Sequence, residues 1–392
     1  MQKLLVAGLL GIAGACAQAE PAGAPASGPP IVAYEVAAEP GIAQEIWATG
    51  LNRPWGIAWL PDGRALVTER GGALRIVGKD GKPGAPVEGV PVVAAVGQGG
   101  LLDVAVHPRF AENGFVYLTH AVGDPKANLT ALSRGVLKDN SLVEVRELFR
   151  NPQAKTGGAH FGSRLLWLPD GSLLMSVGDG GNPNIQLDGQ NIRNNAQNPN
   201  AYFGKVLRLT TDGEPAAGNP GADAAKGWNA RLFSMGHRNV QGLALDAKTG
   251  AIWATEHGAR GGDELNRLSA GGNYGWPLVT YSIEYSGKPI TEERSRPGFR
   301  DPVSVWIPSI AASGLAVYRG SRLKALDGAL LAGGLMSQDV RVIRIGQDGR
   351  PTGETRIAIG ARVRDVAQGP DGFVYVLTDE EEGRIIRLTP AR

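Results

Sequence analysis

Six times along the chain a short apolar run is followed by a tight turn and a second apolar run, and most copies add another turn and a third run. The clearest copy, GIAWLPDGRALVTERGGALRIV from Gly56 to Val77, reads strand, Pro-Asp-Gly turn, strand, Gly-Gly turn, strand. Looser copies begin at Leu101, Gly162, Gln241, Gly314 and Asp365. A unit of three or four short antiparallel strands cannot bury both of its faces alone, whereas stacking such units in a ring supplies the core and leaves only short edges. The expected fold is therefore all-β, a six-bladed β-propeller with four-stranded antiparallel blades. A pair of β-sandwiches is the competing architecture, but sandwiches do not repeat one turn motif so regularly. Glycine agrees with the many-turn reading: the chain has 57 in 392 residues, roughly twice the usual share of about 7%.

The ends of the chain carry an address rather than a fold. Met1 to Ala19 combines Lys3, an apolar stretch from Leu4 to Ala15 and the small-residue triplet Ala17-Gln18-Ala19, which predicts a cleaved export signal over residues 1–19. Lipidation at Cys16 is the second way to read this segment, and only that would tie the protein to a membrane. Either way the expected location is periplasmic or secreted, and the single cysteine excludes a disulfide framework. Residues 20–40, rich in Ala, Pro and Gly, read as a flexible leader, with one propeller domain over 41–392. A net charge of +2 without any basic tract leaves nucleic acid without an electrostatic footprint.

Chemistry concentrates in GGAHFGSRLLWLPDGSLLMSVGDGG, from Gly157 to Gly181. Two strands joined by a tight turn run antiparallel, so His160, entering the first, and Asp179, leaving the second, finish at the same sheet edge. A carboxylate on one imidazole nitrogen selects the tautomer and raises the basicity of the other, which suits proton abstraction. Polar residues at the corresponding ends of other units, Thr68-Glu69-Arg70, Thr119-His120, Glu256-His257-Gly258 and Thr378-Asp379, are expected to converge on one mouth of the central channel. Two connections are too long for turns, Asn182 to Tyr202 and Trp276 to Pro308. The second carries Trp276, Tyr281, Tyr285 and Trp306, either a stacking wall for a planar ligand or a loop packed on its own aromatics.

Four further pieces hold polar groups that a structural repeat does not need: GQGGLLD around Gln98, GHRNVQGL around Arg238 and Asn239, EHGARGGDELNRL around Gly258, and ARVRD around Arg362 and Arg364. Guanidinium groups pair bidentately with carboxylates, so these arginines favour a ligand bearing several carboxylates.

Taken in order from about Pro54 to Pro390, these motifs resemble the soluble quinoprotein sugar dehydrogenases, which use pyrroloquinoline quinone (PQQ) and calcium on a six-bladed propeller. The resemblance implies oxidation of aldose sugars to lactones, with electrons leaving to an external acceptor such as a quinone, a cytochrome or a dye. It assigns His160 as general base, Asp179 as the carboxylate that orients it, and Gln98 as a neighbour of both substrate and cofactor. Arg238, Asn239, Arg362 and Arg364, with Ser309 and Ala311 of IPSIAASG, take the positions that contact the quinone. Gly258 and Ala259 take those of the carbonyls that ligate calcium, with Asp263, Glu264 and Tyr274 behind them. Three residues depart from the pattern. Met336 stands where a cofactor-site lysine is expected, Ala159 replaces an acid before the base, and Ala259 replaces a proline. Two other functions remain open on this fold: a calcium-dependent lactonase, and a propeller that binds a ligand or partner without redox chemistry.

Overall fold

The computed structural model describes residues 28–181 and 185–391. The expected export signal and Cys16 lie outside these residues. Six four-stranded antiparallel units account for the sheets of the ring, as the repeat predicts. Blade 1 runs from Pro54–Trp59 to Pro83–Pro86, blade 2 from Leu101–Val106 to Ser141–Arg150, and blade 3 from Leu165–Trp167 to Leu232–Met235. Blade 4 runs from Val240–Leu245 to Ser304–Trp306, blade 5 from Ala312–Val317 to Pro351–Ala358, and blade 6 starts at Val363–Gln368. The first strand of each blade packs on the first strand of the next, all the way round, so these strands line the channel.

The ring closes on itself. Blade 6 takes only three strands from the C-terminal end of the chain; its outermost strand is Ile42–Leu51, antiparallel to Gly383–Pro390, with Ile42 opposite Pro390. Residues 28–40, the described part of the segment expected to be a leader, cross blades 4 and 5. There Ile31–Val32 pairs parallel with Val305 and Trp306 as a fifth strand of blade 4.

The core follows from blade stacking. Apolar clusters fill the six interfaces between neighbouring blades; Leu66 and Leu74 of blade 1 meet Leu118 of blade 2, and Val340 of blade 5 meets Val376 of blade 6. Second strands such as Ala65–Glu69 and Leu173–Val177 are buried along their whole length, which is why they read as continuous apolar runs rather than alternating ones. Nearer the channel, hydroxyls tie each blade to the next. Thr68 donates to the carbonyl of Leu102, Thr119 to Ser163 at 2.8 Å, Ser176 to Val240 at 3.0 Å, Thr255 to Ser313 at 2.6 Å and Ser313 to Val363 at 2.7 Å. Several strand-end groups expected at the mouth are thus spent between blades. His120 is instead spent within blade 2, buried with Nε2 on the Ser133 hydroxyl at 2.9 Å, and Glu69 accepts the amide of Asn52 at 2.7 Å.

Candidate active site

The loop entering blade 3 sets the position of His160. Its backbone has φ of 55°, with 82° at Ser163, both in the left-handed region that non-glycine residues rarely occupy. Three polar contacts hold this shape: the His160 amide donates to Gln98 Oε1 at 2.9 Å, the Gln98 amide to the Gly158 carbonyl at 2.7 Å, and the Gly162 amide to Asn239 Oδ1 at 3.1 Å. Gly178 is required opposite, because a Cβ there would sit 2.2 Å from the His160 carbonyl.

Leu165–Trp167 and Leu173–Val177 pair antiparallel, and the hairpin brings the two residues flanking it together. His160 Nδ1 lies 2.6 Å from Asp179 Oδ1. The same oxygen accepts the Gly181 amide at 3.0 Å, while Asp179 Oδ2 accepts the indole N–H of Trp276 at 2.8 Å. A carboxylate can only accept, so the proton between them belongs to Nδ1 and the lone pair is on Nε2. Burial pushes the His160 pKa below its usual value, the Arg238 cation adds to this, and Asp179 opposes both. The imidazole is therefore neutral, and able to take a proton, at neutral pH.

Beside this pair a cavity of about 170 Å³ occupies the channel mouth, lined by Trp55, Gln98, Gly162, Asn239, Arg362 and Arg364 among others. Behind its Trp55 wall, Arg164 stacks on Trp55 and reaches across the channel to Asp103 at 3.2 Å and Asp365 at 3.0 Å. Asp379 holds two of the arginines, Arg364 at 2.8 Å and Arg362 at 3.3 Å. Burial alone would raise the Asp379 carboxyl, but Arg364 and Arg362 outweigh it and keep the pKa low. Two buried nitrogens at this cavity have no partner, Arg364 Nε and His257 Nε2.

A second cavity of about 720 Å³ adjoins the first, sharing His257 and Ala311 and adding Tyr34, Gly258, Ala259, Tyr285, Ser309 and Met336. Arg238 stands between the base pair and this cavity and donates to the carbonyls of Gly258 at 2.6 Å and His257 at 3.2 Å.

Residues 51–387 match the family described as Glucose / Sorbosone dehydrogenase. This chain belongs to that family. The sugar dehydrogenase is 39% identical to aldose sugar dehydrogenase YliI of Escherichia coli over 88% of this chain and 92% of that one. Its fold superposes on the apo form of the soluble aldose sugar dehydrogenase from E. coli with a TM-score of 0.82, at 38% identity, covering 89% of this chain and all of that one. The PQQ-bound form of an aldose sugar dehydrogenase from Streptomyces coelicolor superposes with a TM-score of 0.71 at 29% identity, over 90% and 99% of the two chains.

Around the turn at Gly258 and Ala259, the acidic residues face inward rather than into the cavities. Asp263 accepts the Gly258 amide at 2.9 Å through one oxygen, and the Ser309 hydroxyl at 2.6 Å and the Ala312 amide at 3.2 Å through the other. It shapes the turn. Glu264 is buried beside Glu256, and burial followed by that neighbour's charge pushes its pKa well up. The Tyr274 hydroxyl points to the Arg267 carbonyl at 2.7 Å and the Ser269 amide at 2.9 Å, with its ring on His237. Among the described residues no group of three or more His, Cys, Asp or Glu is arranged to hold a metal ion.

The three departures have structural counterparts. The Ala259 amide donates to the Ser282 hydroxyl at 2.5 Å, a bond that proline cannot make. Met336 is 60% exposed at the larger cavity. Ala159 brings no charge to the approach to His160. Of the four aromatics in the long connection, only Tyr285 lines that cavity. Trp276 is buried on Asp179, and Trp306 is buried with its N–H on Glu354 at 2.9 Å. Sequence reasoning left Arg164 without a role, expected Asp379 only at the channel mouth, and took Trp276 only as part of a stacking wall or a self-packed loop. Arg164 meets its partners across the channel, Trp276 meets Asp179 of the neighbouring blade 3, and Asp379 meets Arg362 and Arg364 within blade 6.

Proposed function

We propose that this sugar dehydrogenase oxidises the anomeric carbon of aldoses to the lactone, with PQQ and calcium as cofactors and His160 as general base. The observation that carries the reading is the His160–Asp179 pair at 2.6 Å, with Nε2 unprotonated beside a mouth ringed by arginines.

The donor set suits a planar polycarboxylate. Arg70, Arg362 and Arg364 bring three guanidinium groups to the smaller cavity, Arg238 reaches the Gly258 carbonyl at the edge of the larger one, and Arg364 Nε is a buried donor without a partner, which costs about 1–3 kcal/mol. An anion accepting from it would remove that cost. Asn239, Ser309 and Ala311 complete the contacts with the quinone. For calcium the chain would offer the carbonyl oxygens of Ala259 and, once Arg238 at 2.6 Å is displaced from it, of Gly258, the oxygen type a hard cation takes, while Asp263 keeps both of its oxygens on the turn. Further oxygen ligands would have to be supplied by the cofactor. When bound, the quinone and calcium together supply a two-electron acceptor polarised by a Lewis acid.

The chain's own part is proton transfer and alignment. Asp179 holds the imidazole in the tautomer whose Nε2 faces out, and Trp276 and the Gly181 amide hold Asp179. His160 takes the proton of the anomeric hydroxyl as hydride leaves the anomeric carbon, so the sugar loses two electrons and two hydrogens and becomes the lactone. Gln98 keeps the His160 backbone in its left-handed turn and presents its amide to the cavity. An external acceptor would be needed to take the two electrons on from the bound quinone.

Reconstitution of the mature, metal-stripped protein with PQQ and calcium, followed by dye reduction across a panel of aldoses, tests the proposal. Dye reduction that requires both additions and an aldose is the expected result. Quinone binding with no turnover on any aldose would overturn the substrate assignment, and failure to bind quinone would overturn the proposal as a whole.

A further inference from the structure

Residues 28–40 are anchored along their length although they lie outside the six repeats. The Val305 amide donates to the Pro30 carbonyl at 3.0 Å and the Ile307 amide to Val32 at 3.2 Å. Arg341, wholly buried and already paired with Asp339 and Glu354, gives two further donors to this segment, to the carbonyls of Tyr34 at 2.6 Å and Ala33 at 3.4 Å. On blade 5 the Arg356 amide donates to Ala37 at 2.9 Å, the Glu39 amide to Arg356 at 2.7 Å, and the Glu39 carboxylate accepts Arg344 at 2.8 Å. The segment is a strap across blades 4 and 5. Between these anchors stands Tyr34, whose hydroxyl donates to the Met336 carbonyl at 2.8 Å and which lines the larger cavity.

We propose that Tyr34 contacts the planar quinone in that cavity, making residues 28–40 part of the binding site; the proposal rests on the function argued above. The lining decides between quinone and sugar. Tyr34, Tyr285, Pro308, Ala311 and Met336 offer flat or apolar faces, whereas a sugar needs a donor or acceptor for nearly every hydroxyl. An aromatic ring on a rigid support loses little entropy on contact with a planar ligand, and the buried Arg341 makes that support rigid. The strap also closes over the position where the resemblance expects a lysine: the Met336 backbone is held there by a phenol.

Titration of the full mature protein with PQQ in the presence of calcium, read by the quinone's absorbance and by the shift it causes in melting temperature, tests the contact. Tyr34→Ala should weaken quinone binding about tenfold, the scale of one aromatic contact, and Tyr34→Phe should stay within about twofold of wild type, since the ring is kept. Tyr34→Leu keeps side-chain bulk if the alanine variant is unstable, and it should weaken binding like alanine. Wild-type affinity in a folded Tyr34→Ala or Tyr34→Leu protein would overturn the contact while leaving the quinone assignment intact. An equal loss in Tyr34→Phe would overturn it too, by placing the effect in the hydroxyl's hold on Met336. A wild-type protein that binds no quinone would overturn both this proposal and the function it rests on.

Discussion

The indole of Trp276 donates to the Asp179 oxygen that His160 does not use, at 2.8 Å, so the orienting carboxylate is held from both sides. Trp276 belongs to the connection between the third and fourth strands of blade 4, nearly a hundred residues downstream, and is buried. Trp276→Phe keeps an aromatic ring and removes the donor. One oxygen of a buried carboxylate then loses its partner, a change of about 1.5–3 kcal/mol for a charged acceptor. The expected outcome is a fall in kcat of roughly tenfold or more with little change in the KM for sugar. An unchanged kcat would mean that the Gly181 amide alone orients Asp179.

Removing the carboxylate itself is more severe. Asp179→Asn presents an amide that need not select the Nδ1–H tautomer, so part of the imidazole population has Nε2 protonated and unable to accept. Loss of a positioned base is worth about 10²–10⁴ in rate, and kcat should fall within that range in Asp179→Asn and in His160→Ala, while quinone affinity, measured by titration, stays near wild type. A proportionate loss of quinone binding would place the pair in cofactor retention instead of proton transfer.

The pairing of His160 with Asp179 was legible because both flank one hairpin, and antiparallel strands leave little freedom about where their ends finish. The blades were legible for the same local reason. What the sequence hid were contacts made only by ring closure. Ile42–Leu51 finds its partner strand some 340 residues away, and nothing within ten residues of it announces blade 6. Asp379, by contrast, meets Arg362 and Arg364 within the blade 6 hairpin, where in the sequence it reads as one more acid after a strand. The composition of residues 20–40 suggested a leader, since Ala, Pro and Gly carry no packing signal. The anchoring of the described part depends on Arg341 and Arg356, which lie in blade 5. Tyr274 was placed behind the Gly258–Ala259 turn by resemblance, and its hydroxyl is spent on blade 4 backbone.

Acid should destabilise the fold through its buried neutral histidines. Burial lowers the pKa of His120 from 6.5 to about 4, with Arg150 adding to this and Glu147 opposing it. Below pH 6.5 the unfolded chain takes up a proton that the native state refuses, so stability contributed by this group is present above its unfolded pKa and is lost as pH falls toward 4. By pH 4 the loss from His120 is on the order of 3 kcal/mol. Chemical denaturation at pH 7 and pH 4.5 should show a smaller drop for His120→Gln than for wild type. An equal drop would assign the acid sensitivity to other groups.

One cation bridges blades across the channel. Arg164 contacts carboxylates of blades 2 and 6, donates through Nε to the Gln241 carbonyl of blade 4 at 2.8 Å, and stacks on Trp55 of blade 1. Burial raises the pKa of Asp103 to about 6, with Arg164 opposing and Asp365 adding to the rise. Arg164→Met keeps much of the side-chain length but strands two buried acids next to each other. Breaking a buried pair by removing one partner costs about 3–5 kcal/mol, which should appear as a lower denaturant midpoint at pH 7. The loss should shrink toward pH 5 in the variant as Asp103 takes up a proton, because a neutral acid no longer needs the guanidinium. A midpoint that is unchanged at pH 7 would mean that water entering the channel replaces Arg164 at little cost, and that the packing of the six blades alone closes the ring.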